Sequence, residues 1–599
     1  MKLRVLRNEV SIELTWDLSE LFASIEAWEA ELKALQELAI HIQQYKGNLQ
    51  DGVSHLADCL ETQEVLLERT MRMATYARLR FTEDTSNPQN QANSTRSGDA
   101  TAGIGAALSF IRSEILALPE GMIERYIKEE PRLEPFRKSL DDLLETKPHQ
   151  LSAETEAVLA SLSEVLGAPY NIYQRSKLSD MSFSSVKDEQ GVTHPVSFAL
   201  FETDFEFSAN TTLRRASYES FTWTLEQYQN TFAAIYSTEV KKQTVTAQLR
   251  GYASVTDMLL QPQQVTKEMY HTILDVIRME LAPHMQRLMK LKKRVLGLDR
   301  LLFCDLKAPF EPEFNPSVTT QEAGSTILEA LSVMGPEYME LMEKALSQRW
   351  IDYADNVGKS TGAFCASPYG AHPYILITWT GNMRSAFTLA HELGHAGHLM
   401  LAARNQRYTN FRPSTYFIEA PSTMNELLLA EHLLKQSSDP RMKRWVILQL
   451  LSTYYHNFVT HLLEGDMQRR VYAAGEAGEA LTAKKLSSLK GNVLSEFWGD
   501  AVELDPGANL TWMRQPHYYM GLYPYTYAAG LTASTAVVQL MKDEGQSVID
   551  RWLEVLKAGG TLRPLDLMEH AGVNMTDAKP IRSAVAYVGS LVDELERLF

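Results

Sequence analysis

Cysteine is scarce in this chain of 599 residues, which holds only three: Cys59, Cys304 and Cys365. They are far apart, with no C-x-x-C spacing, so a disulfide framework is not expected and a reducing compartment fits. No run of about 18 apolar residues stands out, so no membrane span is expected. The opening Met1–Trp16 stretch carries charges where a secretory leader needs an apolar core. These features give the expectation of a cytoplasmic protein. Positive charge is also short: 58 Lys and Arg face 75 Asp and Glu, for a net charge of −17. Such a surface does not favour nucleic acid or anionic membrane as partners. Internal repeats and low-complexity tracts are missing. Hydrophobic residues make up 45% and charged residues 22%, ordinary values for a globular chain.

What the chain does have is helical periodicity. Apolar residues recur at three and four positions from Ile25 to Gln50, and again over 55–80, 105–145 and 153–166. The polar stretch Thr82 to Asp99, with Asn87-Pro88 inside it, reads as a loop. Only two places read as strands. Met181–Val186 and Val192–Phe198, split by the polar Lys187–Gly191, read as a hairpin. Tyr374–Trp379 is a β-branched and aromatic run. From Thr211 onward the helical pattern resumes almost to the end. The expected fold is therefore mostly α. The expected domains are 1–200, helical and ending in the hairpin, and 201–599, helical and catalytic.

The chemistry concentrates at His391-Glu392-Leu393-Gly394-His395, an H-E-x-x-H pattern. Random order would place it about 0.03 times in such a chain, so chance does not explain it. Its flanks, Ser385 to Arg404, lack proline and are rich in Ala, Leu and Met, which predicts a helix. Residues i and i+4 share one helix face, so both imidazoles can reach one Zn²⁺. Glu392, one step round the helix, is placed to act as general base on a water. Gly394 and Gly397 weaken the helix but allow another backbone to come close.

A catalytic zinc takes three protein ligands and keeps one position open. His398 lies on the same face as His391 but about a turn too far, and is expected to support or pack rather than ligate. A carboxylate from a second helix is the better third donor. Downstream, Glu419, Ser422 and Glu426 form a stripe on a strong helix former that begins near Pro421. Glu419 lies 28 residues after His391, enough for a loop and an antiparallel return. Glu426 remains the other candidate on that stripe, favoured as a supporting group.

With these residues placed, the chain resembles the thimet oligopeptidase family of zinc metallopeptidases, on its oligoendopeptidase F branch. The resemblance rests on His391–His398, on Phe417-Ile418-Glu419-Ala420-Pro421-Ser422, on Gly358–Cys365 with the Tyr374–Trp379 run, and on the Thr15-Trp16-Asp17-Leu18 start. It implies a clam-like, multi-helix enzyme with a deep internal channel and a small sheet beside the zinc helix. It implies His391, His395 and Glu419 as ligands of one Zn²⁺ per chain, and Glu392 as base. Residues Trp512–Tyr527 hold six aromatics, and the family uses a His followed by a Gly- and Tyr-rich loop to bind substrate and stabilise the oxyanion. The matching residues here are His517, Tyr523 and Tyr527, with Pro524 interrupting the pattern. The implied activity is endopeptidase cleavage of short unstructured peptides, with the peptide as the only expected partner. A dipeptidyl carboxypeptidase on the same zinc site is the enzymatic rival. A non-catalytic helical peptide binder with a residual zinc is the other. The Tyr374–Trp379 strand is expected to offer a free edge to the substrate backbone.

Overall fold

The computed structural model describes residues 4–599, and the chain is mostly helical with two small sheets. Three N-terminal helices, Ile25–His41 (α1), Val53–Glu83 (α2) and Pro88–Ala117 (α3), pack against one another. Their apolar stripes meet at Trp28, Leu35, Leu56, Leu66 and Met73, all fully buried. The Trp28 indole N–H donates to the Met73 carbonyl at 2.9 Å, so its one polar atom is satisfied inside that core.

The loop expected over Thr82–Asp99 is mostly helix. Asn87 is an N-cap whose side chain accepts from the amides of Gln89 and Asn90, and Pro88 occupies the first turn. Several of the polar residues that suggested a loop, Asn90, Asn93 and Ser97, are buried on one face of this helix. Asn90 Nδ2 donates to the Arg80 carbonyl at 2.7 Å, and Asn93 Oδ1 accepts from Gln89 and Arg96. One 18-residue window of α3 is apolar and long enough, by composition alone, to cross a membrane, although Arg112 and Glu114 interrupt its apolar residues. Ile104, Leu108, Phe110, Ile111, Ile115 and Leu116 supply most of that character; all are buried, and α3 packs on α1 and α2.

The expected hairpin shrinks to two residues a side: Val186–Lys187 (β1) pairs antiparallel with Thr193–His194 (β2). Phe198, expected to end a strand, instead opens a short helix capped by Ser197. The second sheet contains Ile351–Asp352 (β3), Phe364–Ala366 (β4) and Tyr374–Leu376 (β5), in the order β3-β5-β4. β5 is therefore the central strand, parallel to β3 and antiparallel to β4. The free edge expected at Tyr374–Trp379 is not there, because two short segments with weak periodicity cover both sides of β5. Tyr374 and Leu376 point into the N-terminal core, while Ile375 and Ile377 point into a second, larger core. Burial on both faces explains the unbroken apolar run.

That second core runs from Tyr173 to Leu595. Five of its helices matter for function: Met383–Asn405 (α4), Ala420–Gln436 (α5), Pro440–Tyr454 (α6), His461–Glu476 (α7) and Pro524–Glu544 (α8). α5 packs between α4 and α8. A π-turn, Tyr455–Thr460, joins α6 to α7. Pro524, which interrupts the aromatic segment in sequence, is the first residue of α8.

Candidate active site

α4 carries the H-E-x-x-H segment two turns in from its start, where Asn382 caps the helix by accepting from the Ser385 amide at 3.1 Å. α4 is buried along most of its length, so its polar residues must find partners within the protein. Glu419 stands at the N-cap position of α5. Two glycines bring it into place. A Cβ on Gly394 would lie 2.5 Å from the Pro421 carbonyl oxygen, and one on Gly530 of α8 would lie 3.0 Å from the Glu419 Cβ. The start of α5 therefore nests between α4 and α8, which no larger residue would allow. Gly394→Ala is expected to cost about 1–3 kcal/mol of stability by overpacking and to push Glu419 away from α4. Metal retained after dialysis at limiting zinc should fall below wild type; unchanged retention would show that the contact is not needed.

Glu419 Oε2 lies 3.5 Å from His391 Nε2 and 3.6 Å from His395 Nε2. A tetrahedral ion with ~2.0–2.1 Å bonds needs donor separations of about 3.3 Å, so these three atoms fit one small cation. The remaining polar atoms are fixed from behind. His391 Nδ1 is 2.6 Å from Glu426 Oε1, and Glu426 Oε2 accepts from the Thr453 hydroxyl at 3.1 Å. Glu426 therefore holds the far side of a ring whose near side faces Glu419, seven residues earlier on the same stripe. The Ser422 hydroxyl donates to Glu419 Oε2 at 3.3 Å.

The electrostatics are those of a cation site. Burial disfavours charge on His391, but Glu419 and then Glu426 outweigh it and raise that imidazole well above its usual range. Burial likewise lowers His395, to about 4, so it stays neutral. Burial opposes ionisation of Glu419, yet the two histidines hold it at about 2. A buried carboxylate facing two imidazole nitrogens is a place that a dication fits. Glu392 is buried and its Oε2 has no hydrogen-bond partner. Burial pushes its carboxyl up to about 7, against the pull of His391. An unpartnered buried carboxylate beside this donor set is a group kept for a ligand or water.

His398 is fully buried, and neither ring nitrogen has a partner. Burial first, and His395 second, lower it to about 3, and its ring packs edge-on against Phe417 at 5.5 Å. It is a neutral packing ring under the metal face and takes no polar contact with His391, His395 or Glu419.

A cavity of about 930 Å³ opens on His391, Glu419 and Glu426. Of the three aromatic-segment residues, Tyr527 lines this cavity. Tyr523 packs edge-on against it, ring centroids 5.2 Å apart, and His517 lies 5.5 Å from Tyr523 and 5.9 Å from Tyr527. Sequence reasoning missed His456, which lines the same cavity, and His461 and Glu464 behind it. The available signal was three titratable residues within nine positions of an apolar stretch. It is weak because His456 and His461 are five apart, a spacing that meets only in a π-turn, where hydrogen bonds run from i to i+5.

Comparison with known proteins agrees with this geometry. Residues 206–587 match the family model of peptidase family M3, and residues 114–183 match that of oligopeptidase F. The chain is 32% identical to oligopeptidase PepF of Bacillus subtilis over 592 residues, covering 99% of this chain and 88% of that protein. It is 28% identical to the plasmid oligoendopeptidase F of Lactococcus lactis subsp. cremoris, covering 99% and 98%. Among solved structures, oligoendopeptidase-F from Enterococcus faecium superposes with a TM-score of 0.75 at 27% identity, covering 96% of this chain and 99% of that one. A peptidase from Chlamydophila abortus superposes with a TM-score of 0.89 at 26% identity, over the full length of both chains. The helical body, the nested carboxylate and the matched sequence together make this protein a metallo-oligopeptidase, and the chain belongs to peptidase family M3.

Proposed function

We propose that the protein is a zinc-dependent endopeptidase that cleaves internal bonds of short, unstructured peptides in the cytoplasm. The observation that carries this reading is the meeting of His391 Nε2, His395 Nε2 and Glu419 Oε2 at separations suited to one small ion, beside the unpartnered Glu392 carboxylate. Nitrogen and carboxylate donors at tetrahedral spacing, with one position left open, favour zinc in a catalytic site. Zinc held there supplies Lewis-acid polarisation of a peptide carbonyl and acidifies a water.

The protein's own groups do the rest. Glu426 accepts a hydrogen bond from His391 Nδ1, which keeps the ring proton there and leaves Nε2 as a lone-pair donor. Glu392 removes a proton from the attacking water and returns it to the leaving amine. Tyr527, on the cavity wall, donates to the oxyanion that develops on the scissile carbonyl. Tyr523 and His517 pack against it and complete the substrate-binding group. Cleavage of a peptide blocked at both ends tests the endopeptidase reading. Internal cuts are expected, lost on chelation and restored by zinc, while a folded protein stays intact. Dipeptides released only from an unblocked C-terminus would establish the carboxypeptidase reading instead.

The tyrosines separate by position. Tyr527→Phe should lower kcat about 10²–10³-fold with little change in KM. Tyr523→Phe should have a smaller effect, because, of the two rings, only Tyr527 lines the cavity. Steady-state kinetics on one short peptide decide it: an unchanged kcat in Tyr527→Phe removes the phenol from the oxyanion role.

A further inference from the structure

A second group of titratable side chains surrounds Tyr527, and the mechanism above uses only His517 of it. It consists of His456 in the π-turn, His461 and Glu464 on α7, and His517 in the turn Pro516–Tyr519. Glu464 is buried, with 2% of its side chain exposed. Its Oε2 is 2.8 Å from His461 Nδ1 and 3.3 Å from His517 Nδ1. His461 Nε2 in turn is 3.1 Å from His456 Nε2. The Tyr527 ring stacks on His461 at 4.2 Å, 17° from parallel.

Two arrangements fit such a group: a second metal site or a hydrogen-bonded chain. The separations decide between them. At the first site the donor atoms stand 3.5 and 3.6 Å apart, as ligands around one ion do. Here the closest pair is at 2.8 Å, an ordinary hydrogen bond. The two nitrogens of His461 also face two different partners, so they cannot both serve a common centre.

The charge state follows from the contacts. Burial would keep Glu464 protonated, but His461 and then His517 outweigh it and hold the carboxyl well below its usual range. The buried ammonium of Lys490 adds to the same field. A carboxylate can only accept hydrogen bonds. Both Nδ1 atoms therefore carry protons. On His517 this fixes the tautomer and leaves Nε2 as the acceptor nitrogen of a ring packed 5.5 Å from Tyr523 and 5.9 Å from Tyr527. Nε2 accepts while the ring is neutral. It donates once the ring takes a second proton, and Glu464 then supplies the counter-charge.

We propose that Glu464 is the positioning residue for His517, fixing its proton on Nδ1 and its ring plane, while His461, itself held by His456, anchors the carboxylate. This rests on the reading of His517 as a substrate-facing group. A positioning residue can cost no more than the group it positions. The loss on Glu464→Gln should therefore fall below the ~10²–10³-fold of an oxyanion donor. A glutamine can present its amide nitrogen to Nδ1 and permit the wrong tautomer, as a carboxylate-to-amide change does in a catalytic triad.

The test is a double-mutant cycle of Glu464→Gln with His517→Ala, read as kcat and KM on a short peptide, with metal content measured in each variant. Expected are one bound metal per chain throughout, a kcat about 10- to 100-fold lower in Glu464→Gln, a KM within about threefold of wild type, and no further loss when His517 is already Ala. Should Glu464→Gln not fold, Glu464→Asp keeps the charge but draws it back from Nδ1, and several-fold of kcat should still be lost. A folded Glu464 variant with wild-type kcat, alongside a slow His517→Ala, overturns the positioning role and leaves the reading of His517 standing. Wild-type kcat in His517→Ala overturns that reading, and the positioning role falls with it. A second metal equivalent lost on Glu464→Gln would show a metal site in place of the hydrogen-bonded chain.

Discussion

Glu392→Gln is expected to keep its full complement of metal and to lose about 10²–10⁴-fold in kcat. The substitution is nearly isosteric, and Glu392 is not one of the three atoms that converge on the cation position. Its Oε2 has no protein partner, so no existing hydrogen bond is broken. The buried site also gains stability from losing an unpaired carboxylate. What disappears is the ability to take a proton from water and hand it on. KM should change far less than kcat, since a peptide is bound the same way by both forms. Metal content by elemental analysis and single-peptide kinetics check both halves. Turnover near wild type would remove Glu392 from the role of base.

Glu419→Ala is expected to strip the metal and with it all measurable turnover, whereas Glu426→Ala should weaken binding about 10- to 100-fold. The difference lies in what each carboxylate touches. Glu419 Oε2 faces the Nε2 atoms of both histidines, and two imidazoles alone do not make a three-ligand site. Glu426 faces the other nitrogen of one of them and fixes its tautomer. His391→Ala and His395→Ala belong with Glu419→Ala. Titration of each apo-variant with zinc, followed by activity at saturating metal, separates the two classes. Metal lost in Glu426→Ala and kept in Glu419→Ala would exchange their roles.

Local rules were enough wherever the chemistry and the geometry both sit on one element. The i, i+4 spacing of His391 and His395 puts two rings on one face of any helix, and the lack of proline around them makes the helix. Periodicity likewise located most helices. It failed at α3, where Asn87-Pro88 reads equally as a turn and as a helix start. Polar side chains that pair with backbone inside the protein imitate the composition of a loop. It failed again at β5, whose neighbours β3 and β4 are two and three residues long and leave no pattern to detect. The sequence therefore presented a central strand as a free one.

Residue identity thus determined that this chain is a helical metallopeptidase, because a five-residue pattern on one helix carries most of that meaning. Only the tertiary structure decided which carboxylate stands over the histidines. Glu419 and Glu426 share a stripe, and their order along α5 is silent about where that helix crosses α4. The crossing is set by Gly394 against Pro421 and by Gly530 against Glu419, contacts between residues 27 and 111 positions apart in the chain. The same holds for His456, His461, Glu464 and His517, which meet through a π-turn and a return of the chain 53 residues later. Spacing along a helix follows from a fixed geometry. Distances between helices follow from which side chains are small enough to let them touch.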